Sequence, residues 1–123
     1  MKVHNGVDLV EIGRFYRLKP AILRRFRQRV LTPAEQAEVG DSIEKLAGKF
    51  AAKEAAAKAL GCGIGEVKWV DIEILSDANG KPEIGFHDAA ENIIARLRIA
   101  QKTVSISHTR SLAIAMVMLL GKE

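Results

Sequence analysis

Cysteine is nearly missing from this 123-residue chain: Cys62 is the only one. No internal disulfide can staple the fold, and a reducing, cytoplasmic compartment is expected. Cys62 stands in the Gly-rich exit Gly61-Cys62-Gly63-Ile64-Gly65 with no histidine close by in sequence, which favours small-residue packing over a nucleophilic thiol. That glycine cluster also lacks the spacing of a dinucleotide fingerprint and follows a helical pattern instead of a strand, so the fingerprint reading fails. Long hydrophobic runs are absent too. The longest, Leu112 to Leu120, is too short to span a bilayer as a helix and reads as a buried strand, so no membrane partner is expected. The opening Met1-Lys2-Val3-His4-Asn5-Gly6 lacks the basic head and apolar core of a secretory signal. Repeats, linkers and low-complexity segments are also missing, and a single domain over residues 1–123 is expected.

Acidic residues are absent from one stretch. Between Arg14 and Arg29 the chain carries Arg14, Arg17, Lys19, Arg24, Arg25, Arg27 and Arg29 with no Asp or Glu, within a net charge of +4. Such a run is either a solvated helix face or the docking surface of an acidic partner, protein or nucleic acid. With 48% hydrophobic and 28% charged residues, the composition is that of a globular protein, long enough for a real core but too short to enclose a large ligand cleft alone. A site shared between subunits would answer that limit.

Hydropathy patterning predicts a strand over residues 3–11, a helical segment from Arg14 to Arg17 interrupted at Pro20, and a helix over 21–30 with Ile22, Phe26 and Val30 on its inner face. Thr32-Pro33-Ala34-Glu35 is a helix start, with Thr as cap, Pro in the first turn and Glu closing a capping box. Gly40-Asp41-Ser42 breaks the chain before a long helix, roughly 42 to 60, stopped by Gly61. Lys68 to Ser76 alternates as a strand, Asp77-Ala78-Asn79-Gly80-Lys81-Pro82 is a turn, and Glu83 to Phe86 returns. A helix from Asp88 to Arg98 with Ala89, Ile93, Ile94 and Leu97 inward precedes strands at 103–107 and 112–120. The order β-α-α-α-β-β-α-β-β makes an α+β domain with a mainly antiparallel sheet packed on the long helix.

Chemistry concentrates in Phe50-Ala51-Ala52-Lys53-Glu54-Ala55-Ala56-Ala57-Lys58-Ala59-Leu60. On a helix, Ile43, Leu46, Ala47, Phe50 and Ala57 form an apolar stripe; Glu54 points into it and Lys58 lies at its edge. A carboxylate on a buried face needs a partner. Asp8, inside the apolar run Val7 to Ile12, is the second carboxylate in view, and two such groups facing a lysine suit a hard cation and a phosphate. The bland readings stand beside it: an intrahelical Glu54–Lys58 pair, and an Asp8 that only ends a strand or caps a turn after Gly6.

Four strings occur in a definite order: Gly6-Val7-Asp8-Leu9, the Phe50 to Ala55 string with Lys58-Ala59-Leu60-Gly61, Asn79-Gly80-Lys81-Pro82, and Ser105-Ile106-Ser107-His108-Thr109. Together they resemble the 4′-phosphopantetheinyl transferase superfamily in its short single-domain form, over nearly the whole chain. The resemblance implies Mg²⁺-dependent transfer of the phosphopantetheine arm of coenzyme A to a serine of an apo acyl carrier protein, releasing adenosine 3′,5′-bisphosphate. It implies Asp8 and Glu54 as metal ligands and Lys58 as the lysine near the pyrophosphate. It places Gly80, Lys81 and Pro82 beside the adenine, and Lys49, His108 and Thr109 near the ribose 3′-phosphate. Lys49 stands where an arginine is frequent, and a lysine lacks the bidentate fork. Arg14, Arg25, Phe26 and Arg29 match the carrier-docking helix, and a homotrimer with sites between subunits is implied. The serine must lose a proton, with Glu54 the expected acceptor and Asp8 the alternative. A small basic nucleic-acid-binding module explains the arginine run but leaves Glu54 without purpose. A purely structural trimeric scaffold leaves the carboxylates unexplained as well.

Overall fold

A computed structural model describes residues 1–123, and its centre is a single helix. The elements in chain order are β1 (Lys2–Glu11), α1 (Gly13–Tyr16), α2 (Pro20–Val30), α3 (Pro33–Val39), α4 (Ile43–Leu60), a 3-10 turn at Trp69–Asp71, β2 (Ile72–Ser76), β3 (Pro82–Phe86), α5 (Asp88–Arg96), β4 (Ile99–His108) and β5 (Leu112–Gly121). All strand pairing is antiparallel, in a three-stranded sheet ordered β1-β5-β4 and a separate β2-β3 hairpin. No helix is long and apolar enough to cross a membrane.

The α4 boundaries follow from local chemistry. The Ser42 hydroxyl accepts the Lys45 N–H at the start, and Gly61 closes the end in the left-handed conformation, φ 74°, which costs glycine little. In α3 the Thr32–Glu35 capping box forms as the residues dictate. The expected apolar stripe on α4 does not describe it. Residues 46–53 are buried all round, Lys49 and Lys53 included, because the sheet packs on one side and α1, α3 and β2 on others. Its abundant alanines let neighbours approach on every face.

Four other expectations change. Residues 69–71 turn instead of extending, since the Asp71 carboxylate accepts the Lys68 N–H at 3.0 Å and the Asp71 N–H reaches the Lys68 carbonyl at 3.0 Å. Ile22 is exposed, and α2 packs through Leu23, Phe26 and Val30. In α5 it is Ala90 with Ile93 that is buried, while Ala89, Ile94 and Leu97 are only partly covered. Strand β5 is not buried on both faces: Ala113, Ala115, Val117 and Leu119 meet α4, while Leu112, Ile114, Met116 and Met118 lie exposed. On the same outer face of β1 are Val3, Val7 and Leu9, also exposed.

The aromatic part of the core joins α1, α2 and α4 to the 3-10 turn. Phe15, Phe26 and Phe50 meet pairwise with ring centroids 5.2–5.8 Å apart, and Trp69 meets Phe50 at 5.1 Å with its ring tilted by 43°. Tilted and edge contacts of this kind add to the area they bury.

Candidate active site

Gly6 decides where the site is. A Cβ at this position would stand 2.0 Å from the Ala55 carbonyl oxygen and 2.9 Å from the Ala59 nitrogen, so only a residue without one lets β1 lie against the α4 backbone. Side chains alternate along a strand, and Asp8, two residues on, is therefore delivered to the same helix. Lys58 Nζ donates to Asp8 Oδ1 at 3.2 Å and to the Val7 carbonyl at 3.0 Å. Glu54 lies one helical turn before Lys58 and is half-buried. Burial, and then the neighbouring Asp8 charge, push its carboxyl above the ordinary glutamate range, with Lys58 and Arg14 pulling weakly the other way.

Asp8, Glu54, Lys58 and Arg14 thus share one electrostatic neighbourhood. The Arg14 guanidinium is held over the Phe15 and Phe50 rings at 5.3 and 5.6 Å. No group of three His, Cys, Asp or Glu side chains gathers here or elsewhere; the site offers two carboxylates. Two neighbouring carboxylates, one of them pushed up by burial and then by the other's charge, are a donor set that fits Mg²⁺, which takes one or two carboxylates and completes its shell with phosphate and water.

Toward the other end of α4 lies a cavity of about 440 Å³, lined among others by Lys45, Gly48, Lys49, Gly80, Pro82 and His108. The structure brings these residues of α4, the β2-β3 turn and β4 together. Lys81 instead lines a neighbouring groove with Lys102, because the Asp77 carboxylate accepts both the Asn79 and Lys81 N–H groups and shapes the turn. Thr109 is spent on its own turn, its hydroxyl accepting the Ser111 and Leu112 N–H groups at 3.3 and 3.1 Å. Lys49 reaches the cavity wall but is buried, its ammonium paired with Glu38 and donating to the Ile74 carbonyl. Burial works against the Glu38 charge, yet Lys49 and the Ser76 N–H hold its carboxyl below the usual range. Lys45 is the exposed lysine at the cavity, without an ion-pair partner.

Sequence reasoning passed over Lys45, Glu38, Glu44 and the Lys53–Glu35 pair. Glu44 lines the cavity and accepts the Tyr16 hydroxyl at 2.8 Å; that donation, with smaller help from His108, lowers its carboxyl pKa. Glu38 sits eleven residues from Lys49, and no local spacing signals such a partnership. Lys45 had a signal: three residues past the Ser42 cap, it falls in the first turn of the helix beside Gly48. On α2, Arg24, Arg25 and Arg29 are exposed. Phe26, grouped with them from sequence, is turned half inward onto Phe15 and Phe50, so it holds the helix more than it meets a partner.

Residues 5–117 match the family described as the 4′-phosphopantetheinyl transferase superfamily. A holo-[acyl-carrier-protein] synthase of Alkaliphilus oremlandii is 44% identical over 115 residues, covering 89% of this chain and 92% of that one. Among solved structures, the Helicobacter pylori holo-[acyl-carrier-protein] synthase in complex with coenzyme A superposes with a TM-score of 0.85 at 33% identity, over 94% of this chain and 99% of that one. The Neisseria meningitidis holo-[acyl-carrier-protein] synthase gives 0.85 at 36% identity, over 95% and 97%.

Proposed function

The chain belongs to the 4′-phosphopantetheinyl transferase superfamily, and from that premise we propose that it transfers the 4′-phosphopantetheine of coenzyme A to a serine hydroxyl of an apo acyl carrier protein. Adenosine 3′,5′-bisphosphate is the leaving product. One observation carries the assignment of residues: the Gly6 contact with α4 that sets Asp8 against Glu54, with Lys58 between β1 and the helix.

Attack on the diphosphate requires charge on the bridging and leaving oxygens to be neutralised. Asp8 and Glu54 are the residues to hold Mg²⁺, which supplies that neutralisation when bound. Lys58 is placed to follow the departing phosphate charge. Glu54, half-buried beside Asp8, takes the serine proton. The cavity takes the nucleotide end, with Gly80 and Pro82 against the base and His108 near the 3′-phosphate. Lys45 replaces Lys49 as the free cation there, since Glu38 already occupies Lys49. Lys45 to Glu54 is nine residues, roughly 14 Å of helix, a distance that separates a 3′-phosphate subsite from a diphosphate subsite.

Exposed Arg25 and Arg29 on α2 would receive an acidic carrier in preference to nucleic acid, because the reaction itself demands that protein partner. The outer sheet face built from Val7, Leu9, Ile114 and Met116 is exposed and apolar, and in a cytoplasmic homotrimer it would be covered by other copies. Incubating the protein with coenzyme A, Mg²⁺ and apo carrier, then weighing the carrier, tests the reaction. A mass gain equal to phosphopantetheine supports it; an unchanged carrier mass defeats it.

A further inference from the structure

We propose that the buried Lys53–Glu35 pair is a positioning device that holds α2 in register with the Glu54 turn of α4, so that carrier affinity depends on two residues no carrier can touch. The inference rests on α2 being the carrier-binding helix. Both side chains are wholly buried. An ammonium has three protons to donate, and all three are used: to the Val30 carbonyl at 2.6 Å, to Glu35 Oε1 at 2.6 Å and to the Trp69 carbonyl at 3.1 Å. Glu35 is equally committed, Oε1 also accepting the Thr32 N–H at 2.9 Å and Oε2 the Ile74 N–H at 2.8 Å. Although Lys53 adjoins Glu54 in sequence, it has nothing left to offer a phosphate.

What it holds is informative. Val30 is the last residue of α2, where helix carbonyls lack intrahelical donors and carry partial negative charge. Otherwise α2 is lightly held: Val30 is its one fully buried residue, with Leu23 and Phe26 partly covered. Its placement therefore depends on the Phe26 ring contacts and on the Lys53 anchor. Successive residues on a helix point about 100° apart, so one turn of α4 aims Glu54 at the reacting groups and Lys53 at the end of the docking helix. An apolar side chain in place of Lys53 would fill the volume but leave the Val30 and Trp69 carbonyls unpaired. Movement of that end carries Arg27 and Arg29 with it, and an acidic carrier loses its charge contacts with α2 before any change at the reacting groups.

The test compares the wild-type protein with the double variant Lys53→Met/Glu35→Gln, which removes both charges at similar volume. Circular dichroism checks folding, and calorimetric titration with apo carrier, without coenzyme A, reads docking. Carrier affinity should fall about tenfold, with the carrier KM rising in step, while KM for coenzyme A and kcat at saturating carrier stay within about twofold. Glu35→Gln alone, which leaves the Lys53 bonds to Val30 and Trp69, should fall between. A folded variant with unchanged carrier affinity overturns the proposal. So does loss of folding in both variants, since the pair would then serve the core and not the placement of α2. Wild-type protein that binds carrier without modifying it would sink the transferase reading instead, and leave this one standing.

Discussion

Glu54 is where burial and charge meet most directly. Its carboxyl is raised by burial first and by Asp8 second, so the folded protein binds its proton more tightly than the unfolded chain does. The contribution of Glu54 to stability is accordingly full at low pH and declines as pH rises through the raised value. Replacing it by Gln removes that penalty. The variant Glu54→Gln should be at least as stable as wild type to urea at neutral pH without Mg²⁺, yet lose about a hundredfold or more in turnover; turnover near wild type across a Mg²⁺ titration would reject the ligand assignment. Asp8→Asn should bring the Glu54 pKa down, read by carboxyl NMR titration, because the like charge is gone. An unmoved titration would place the two carboxylates out of reach of each other. Arg25→Glu should weaken carrier binding about tenfold with coenzyme A binding unchanged, and the wild-type affinity should fall with added salt. Equal losses for both ligands would remove α2 from docking. Arg14, grouped with Arg25 and Arg29 from sequence, lies on α1 and not on α2, in the field of Glu54.

At the level of elements, the β1–α4 contact is the joint on which the site turns. Gly6→Ala puts a methyl group into the Ala55 carbonyl, and helix backbone cannot yield as a side-chain tip can. The expected cost is about 3 kcal/mol in chemical denaturation, together with weaker Mg²⁺ binding as Asp8 withdraws from Glu54; a variant with wild-type stability would show that β1 floats free of the helix. The joint was partly legible beforehand. Gly6 and Asp8 sit two apart in a strand pattern and Glu54 is on a helix pattern, but nothing local said that this strand crosses this helix at Ala55. Capping is the opposite case. Thr32 and Glu35 act on neighbours three residues away, so the start of α3 was readable from the sequence, whereas the further bonds of Glu35 to Lys53 and Ile74 were not.

Over the whole molecule, the exposed apolar face of the β1-β5-β4 sheet is the unsettled surface of a lone chain. Val7, Leu9 and Met116 are 54%, 59% and 45% exposed, a density that isolated folded chains rarely leave to water. On the proposed homotrimer with sites between subunits, Met116→Lys at the centre of this face should give monomers in sedimentation and lose most transfer activity. A wild-type protein that sediments as a monomer would end the shared-site reading.

Alternation in β1, the capping box, the Gly61 stop and the four ordered strings, among them Phe50 to Lys58, rest on residues acting over a few positions, and they were enough to name the fold class and to single out Asp8 and Glu54 as candidates. Tertiary structure alone decided that α4 is enclosed on all sides, that Lys53 and Lys49 face inward to Glu35 and Glu38, and that Lys45 is left free at the cavity. The reason is one of range. Periodicity reports how a segment divides between two environments, and a helix surrounded by neighbours has no such division to report; which charge finds which partner is settled only when distant elements meet.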